Sequence, residues 1–377
     1  MWSYWEQTSF LEYDFVVTGG GIVGLSAALS LRELHPRARI LVTERGWLPQ
    51  GASTRNAGFA CFGSLSEILA DLRTHTEQEV IALCLLRWRG LELLRQRLGD
   101  DMLQFIGSGS HELLWEGSVS LCKEINRINK LLEPHLGADI FSEDKDAVQR
   151  FGFSGNIKTT IKNRLEGSID TGRMMQGLIG ACGRAGVEIR NGGNVDTWTE
   201  DAKGVALQIS SGNDRYIVNT RQWIVCTNAF AKNLLPQLDI VPGRGQVILT
   251  KPIQGLTIRG IFHFDEGFYY FRNIGDRILF GGGRNLDFDT EQTTAFGTTD
   301  RIQHQLKKYL HEVLLPGKEV EIDYTWSGIM AFGSRRLPLI EKTSPRISIG
   351  VRMGGMGVAI GSAVGRELAQ LAGKIDD

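Results

Sequence analysis

Residues 16–34 read "VVTGGGIVGLSAALSLREL", and the reading of this stretch decides the fold. An apolar, β-branched run from Phe15 to Thr18 stops at three glycines, after which apolar residues recur with a period of about 3.6. The pattern predicts strand, tight turn and helix. Gly19, Gly21 and Gly24 keep a G-x-G-x-x-G spacing: the first closes the turn, the second lets backbone approach a pyrophosphate, and the third packs helix on strand. Gly20, Ile22 and Val23 complete the turn, whose phosphates would meet the positive end of the helix. Alone, this spacing fits an ordinary glycine-rich turn about as well. The next strand, "RILVT" at residues 39–43, separates the readings. It ends on Glu44, twenty residues past Gly24, where a dinucleotide fold places the carboxylate that binds a ribose.

Composition sets the outer limits. The chain has 377 residues, 42% of them hydrophobic, enough for two packed domains. Its formal net charge is -1 and it has no basic run, which argues against nucleic acid and for a small-molecule partner. The five cysteines, Cys61, Cys84, Cys122, Cys182 and Cys226, are widely spaced and mostly inside apolar runs. Free thiols in a reducing compartment are therefore expected. The N-terminal "MWSYWEQTSFLEY" lacks a basic region followed by an apolar core, and no run of eighteen apolar residues occurs. Neither export nor a membrane span is expected, and the expected location is cytoplasmic. Apart from His263, the histidines show no spacing for a metal.

Beyond Glu44 the pattern gives a loop, "RGWLPQGASTRNAGFACFG", then helices near 65–99 and 118–132 separated by the strand-like "HELLW". A helix near 171–185 precedes "GVEIRNGGNVDTW". Strand-like segments then dominate residues 204–283: "GVALQIS", "YIVNT", "QWIVCTN", "QVILT", "GFYYFR" and "RILFGGG". A helix near 298–314, "EVEIDYTWSGIM", "RISIGV" and a helix near 357–372 close the chain. Because nucleotide-domain signals recur towards both ends, that domain is expected to be discontinuous.

These motifs, in this order, resemble the D-amino-acid oxidase-like flavoproteins, which include glycine, sarcosine and γ-glutamylputrescine oxidases. The markers are "VVTGGGIVG" with "LVTER", "GASTRNAG", "LEGSIDTGRMMQGLIGACGRAGVEI", "IVCTNAFAKNLLP" followed by "PGRGQ", "GFYYFR", "WSG" and "GGMGVAIGSAVG". The resemblance implies an α/β fold, α+β overall, with a Rossmann-like FAD-binding domain and a mixed-sheet substrate domain. It assigns residues 1–75, 155–240 and 325–377 to the first domain and 76–154 and 241–324 to the second. It further implies non-covalent FAD, because neither "WSGIMAFGSRRLP" nor "GASTRNAG" holds the cysteine or histidine that covalent members use.

Carried over by position, the resemblance gives the opening glycines to the pyrophosphate, Glu44 to the adenosine ribose and Arg45 to the side of the adenine. Ser53, Thr54, Arg55, Asn56, Ala57 and Gly58 would run over the flavin, with the Ser53, Arg55 and Asn56 side chains donating or accepting hydrogen bonds. Val195 would contact adenine through its backbone, and Thr227 and Asn228 would end a strand beside the cofactor. Gly328 would lie close to the flavin. Gly354, Gly355, Met356, Gly357 and Val358 would open a helix whose free amides face the flavin's O2 side.

Departures from the family pattern bear on substrate. Amino-acid oxidases of the family carry Trp-x-Gly-x-Arg-Pro, whose arginine clamps the substrate carboxylate through two hydrogen bonds. Here Trp326 and Gly328 keep the spacing, but Met330 and Ala331 replace the arginine and proline. The same segment instead resembles the γ-glutamylputrescine oxidase pattern, in which Arg336, Leu337 and Pro338 match a closing Arg-x-Pro. Met356 stands where histidine is frequent. In "FDEGFYYFRN", Phe268, Tyr270 and Arg272 would share one strand face. Tyr270, Arg272, His263 and Arg336 are thus the expected substrate contacts around Met330.

The expected activity is oxidation of a C–N bond in a small amine or amino acid: hydride transfer to the flavin, then hydrolysis of the imine. Oxygen is the expected acceptor. A dehydrogenase passing electrons to a quinone or carrier, and a flavin-binding protein without turnover, are the alternatives.

Overall fold

The computed structural model describes residues 2–373. The strand Glu12–Thr18 lies at the centre of an eight-stranded sheet, flanked in parallel by Ile40–Glu44 and Asp214–Val225. Glu188–Asn191 and Ile347–Val351 extend it in parallel on the two sides, and Leu339–Ser344 closes one edge antiparallel. Asn194–Glu200 and Val205–Ser211 form an antiparallel meander with Asp214–Val225. Ile40–Glu44 and Ile347–Val351 are buried at every residue, as parallel strands covered on both faces must be.

Helices Ile22–Leu34, Thr171–Arg184 and Gly357–Ala372 build the core on one face of this sheet together with the inner half of Glu77–Leu98. Glycines set how closely they approach. A Cβ on Gly361 would lie 2.6 Å from Ile22 Cγ2, one on Gly365 2.6 Å from the Ala27 nitrogen, and one on Gly90 2.2 Å from the Ala359 oxygen. The closing helix therefore rests backbone to backbone on the first helix, and both start at the same end of the sheet.

A second eight-stranded sheet runs in the order Ile322–Phe332, Val241–Thr250, Arg277–Gly282, Tyr269–Ile274, Ile261–Phe264, Ser110–Trp115, Ile157–Asn163, Phe141–Asp144. It is mixed, because Ile261–Phe264 pairs in parallel with Ser110–Trp115. Stacked rings of Phe262 and Phe271 and the helix Asp300–Tyr309 fill its core.

The α/β architecture with a Rossmann-like sheet and a mixed second sheet is as the sequence implies. Three details differ. Residues 157–163 and 325–332, expected in the nucleotide domain, pair in the second sheet. "YIVNT" and "QWIVCTN" are largely one continuous strand, Asp214–Val225. A helix Tyr4–Phe10 forms at the N-terminus, started by a capping box in which Ser3 and Glu6 bond each other's backbone amides. All five cysteines are free; Cys122 is half-buried and the others are buried. No helix among the described residues is long and apolar enough to cross a membrane.

Gly365→Val should lower the thermal midpoint, because overpacking against backbone costs about 1–3 kcal/mol. Gly183→Ala, in a helix with nothing within 4 Å of the new Cβ, should raise it, by about 0.5–1 kcal/mol of helix propensity. Equal midpoints for the two variants would contradict this packing.

Candidate functional site

The turn at residues 19–24 is held by backbone before any side chain acts. Gly19 has φ 113°, and a Cβ on Gly24 would lie 1.9 Å from the Gly19 oxygen. Only glycine fits at both places. The helix Ile22–Leu34 has no side chain at its own N-cap. Instead Ser53 Oγ, from the loop at residues 51–58, accepts from the Ile22 amide at 3.0 Å. Glu44 closes the other side: one carboxylate oxygen accepts from Gly20 N and the other from Gly46 N, each at 3.0 Å.

A cavity of about 730 Å³ starts at this turn and reaches the second sheet. Its nucleotide end is lined by Gly19, Gly21, Ile22, Val23, Glu44, Arg45, Val195, Thr227 and Asn228. The Arg45 guanidinium lies 3.8 Å from the centre of the Phe230 ring. Thr227 Oγ1 is buried without a hydrogen-bond partner, and Asn228 Oδ1 accepts from Arg352 N and Met353 N. Those bonds fix the chain just before the turn at Gly354 and Gly355, with φ 57° and 84°, that starts the closing helix. That helix also lacks a side-chain cap, and among the described residues no other loop supplies one as Ser53 does for Ile22, so its first amides are left for a ligand. Gly354, Gly355, Met356, Gly357 and Val358 all line the cavity.

Gly20, Gly24, Thr54 and Gly58 shape the wall without lining it. Ser53, Arg55, Asn56 and Ala57 do line it, but two of their side chains do not serve as expected. Asn56 donates to Ala52 O and Ser53 O and accepts from Gly58 N and Thr171 Oγ1. Arg55 donates to Gln50 O and Ser327 O. They staple the loop to itself and to the sheet, and Trp326 adds a bond to Arg55 O. A Cβ on Gly328 would lie 3.3 Å from Arg55 Cβ, so the Trp-x-Gly pair holds this loop against the strand.

At the far end the cavity meets His263, Phe268, Tyr270, Gly245, Met330 and Phe332. His263 faces Tyr270 across one strand ladder and Glu112 across the other. Burial raises the carboxyls of Glu112 and Glu166, and the nearby His263 works against that rise. Burial pushes Tyr270 up to about 12, so its hydroxyl stays protonated and can donate to a ligand. The Tyr270 ring can lie there because Gly281 has no side chain: a Cβ would meet Tyr270 Cε2 at 2.6 Å.

Arg272 does not reach this end and does not line the cavity. One guanidinium nitrogen donates to Gly58 O at 2.8 Å, Ile169 O at 2.7 Å and Ala57 O at 3.3 Å, so it is a buried strut under the loop. Burial pushes it down to about 10. Arg336 lines the cavity, but its charge is paired with the buried Asp71 at 2.6 Å. Arg284, which the sequence reading passed over, also lines the cavity. Its only sequence signal was the glycine run before it.

The profile of the family described as FAD dependent oxidoreductase matches residues 14–371. The chain belongs to this FAD dependent oxidoreductase family. The glycine turn, the carboxylate at Glu44, the orphaned Thr227 hydroxyl and the uncapped closing helix fit an FAD laid from the first sheet to the second. The chain is 23% identical over 395 residues to the probable oxidoreductase OrdL of Haemophilus influenzae, covering 96% of this chain and 83% of that one. Among solved structures it is similar to glycine oxidase from Geobacillus kaustophilus, with TM-score 0.78, 18% identity and coverage of 96% and 95%. It is also similar to L-proline dehydrogenase from P. horikoshii, with TM-score 0.77, 18% identity and coverage of 96% and 93%.

A Cβ at Gly21 would lie 2.7 Å from Ser53 Oγ, in the cavity wall where a pyrophosphate laid on this turn would have to approach. Gly21→Val is expected to abolish most FAD binding, measured as flavin absorbance per protein after desalting. Full flavin content in this variant would mean that the phosphates lie elsewhere.

Proposed function

We propose that this flavoenzyme oxidises the C–N bond of an amine or amino acid whose polar group lies well away from the reacting carbon. Met330 carries the reading. Its side chain fills the space between the second sheet and the closing turn: Cβ atoms on Gly245 and Gly355 would lie 3.0 Å from its Cε and 3.4 Å from its Sδ. A small α-amino acid needs a cation close to the reacting carbon, and a thioether supplies none. The names of the glycine oxidase and L-proline dehydrogenase neighbours support nitrogen beside the oxidised carbon. They also span oxidase and dehydrogenase, so an acceptor of either kind, oxygen or another carrier, is compatible with the fold.

Bound FAD would supply a hydride acceptor for the carbon beside nitrogen, and the imine left by that two-electron oxidation would hydrolyse in water. The protein's own residues orient and desolvate. The apolar wall of Phe268, Met330 and Phe332 excludes water, which favours the neutral amine whose lone pair must be free. Tyr270, protonated throughout the physiological range, offers a hydrogen bond to the substrate's polar part. The flavin is held without a covalent bond: burial raises the thiols of Cys61 and Cys226, both in the cavity wall, which keeps them protonated and unreactive.

Specificity constants test the reading. Amines with a distal polar group should exceed glycine, sarcosine and D-alanine, and Met330→Arg should shift the ratio towards the small amino acids by about tenfold or more. Acid precipitation of the same preparations should release their colour. Efficient turnover of a small amino acid by the native protein, or flavin retained on the pellet, would contradict the corresponding part.

A further inference from the structure

The cavity wall contains several arginines, and most of their charges are engaged. Arg55 donates to backbone, Arg87 donates to Phe62 O, Arg336 pairs with Asp71, and Arg352 pairs with Asp239. Arg284 differs. Its guanidinium lies 4.7 Å from the ring centre of Phe288 and 4.1 Å from that of Phe332, and it makes neither a hydrogen bond nor an ion pair among the described residues. The carboxylates closest to it in the chain have other partners. Asp287 accepts from Thr290 N and faces Arg301 at 3.8 Å, while Glu291 takes both arms of Arg244 at 2.8 Å and a bond from Gln246. Arg284 is thus a half-buried cation between two aromatic rings that faces the cavity without an anion of its own, and a carboxylate entering there would meet it.

The backbone shows how the charge gets there. Gly282 and Gly283 take φ 125° and 78°, which turns the chain back after the strand Arg277–Gly282. A Cβ on Gly243 would lie 3.3 Å from Arg284 Nη1 and 2.5 Å from Phe332 Cε2, so guanidinium and ring share the space that a side chain at 243 would fill. Gly243 stands directly opposite Met330 in the ladder between Val241–Thr250 and Ile322–Phe332. Paired residues project to one face of a sheet. The cation therefore lies on the same face as Met330, moved across one strand and towards Phe332, one pleat or about 7 Å along.

We propose that Arg284 is the anion-recognition residue of this enzyme, binding a carboxylate that sits several bonds from the C–N carbon, so that the substrate is an ω-amino carboxylate or a related amine with a distal carboxylate. The assignment rests on the reading of the cavity as an amine site. It adds a specificity-determining residue for which Met330 leaves room. Burial lowers Arg284, against a smaller opposing effect of Glu291, and an incoming carboxylate would compensate that desolvation.

The test uses the holoenzyme and two probes that need no turnover: hexanoate, read by thermal shift and perturbation of flavin absorbance, and its neutral amide hexanamide. Hexanoate should bind the native protein at least tenfold more tightly than hexanamide. Arg284→Met should remove that preference and Arg284→Lys should keep part of it, with flavin content unchanged in both. In parallel, 5-aminopentanoate and 5-aminopentanamide are compared by anaerobic bleaching of the flavin; the acid should win by about tenfold or more in the native protein and not in Arg284→Met. Equal binding of acid and amide by the native protein, or a preference untouched by Arg284→Met, would overturn the proposal even if amines bleach the flavin. Carboxylate binding that depends on Arg284, with no amine bleaching the flavin, would uphold Arg284 as the anion-recognition residue and overturn the amino-carboxylate substrate together with the amine reading. Should Arg284→Met lose flavin or fold, the acid-to-amide ratio of the native protein and the Lys variant decide.

Discussion

Everything in this molecule depends on how closely two pieces of backbone meet beneath the first turn. A Cβ on Gly24 would sit 1.9 Å from the Gly19 oxygen, far inside any permitted contact. Without that approach the helix Ile22–Leu34 could not start where it does, and its first amides would not point into the cavity. The same logic is repeated at Gly361 and Gly365, where the closing helix rests on the first one. Two helix N-termini, neither capped by its own N-cap side chain, are thereby brought to one cavity. Their partial positive charges favour a ligand that brings negative charge to each of them.

Around that cavity the polar side chains divide into those that build the wall and those left to meet a ligand. Arg272, Arg55 and Asn56 are builders, each donating to backbone carbonyls that a loop over a cavity would otherwise leave unpaired. Arg336 has Asp71, and Arg352 has Asp239. Among the groups without such duties are the Thr227 hydroxyl and Arg45 at the nucleotide end, and Tyr270 and Arg284 at the other. A donor that stays protonated and a cation between aromatic rings, set beside the apolar Met330, favour a substrate that carries its polarity at a distance.

Much of the fold was legible because its signals are local. The glycine spacing, the following strand and Glu44 identify the turn within thirty or so residues, and "GGMGVAIG" announces a helix with an open start. The N-terminal helix was equally local, since Ser3 and Glu6 stand at capping-box spacing, but its apolar residues are exposed and give no amphipathic pattern. The site was less legible because roles there depend on partners far away in the chain. The sequence could place Arg272 on the Tyr270 face of a strand, yet not show that Gly58 and Ile169 would present their carbonyls to it. Arg336 looked like a free cation until the fold brought Asp71 to it. Arg284, just beyond "RILFGGG", carries no motif of its own, and only the pairing of Gly243 with Met330 reveals what it stands beside.

The most direct measurement is a crystal structure of the protein saturated with FAD. It should show the pyrophosphate against Gly21 and the first turn of Ile22–Leu34, the ribose hydroxyls at Glu44, and the flavin ring between the turn at residues 354–357 and the Tyr270 and Met330 face of the second sheet. A flavin ring bound outside that face, or a pyrophosphate away from Gly21, would contradict the account.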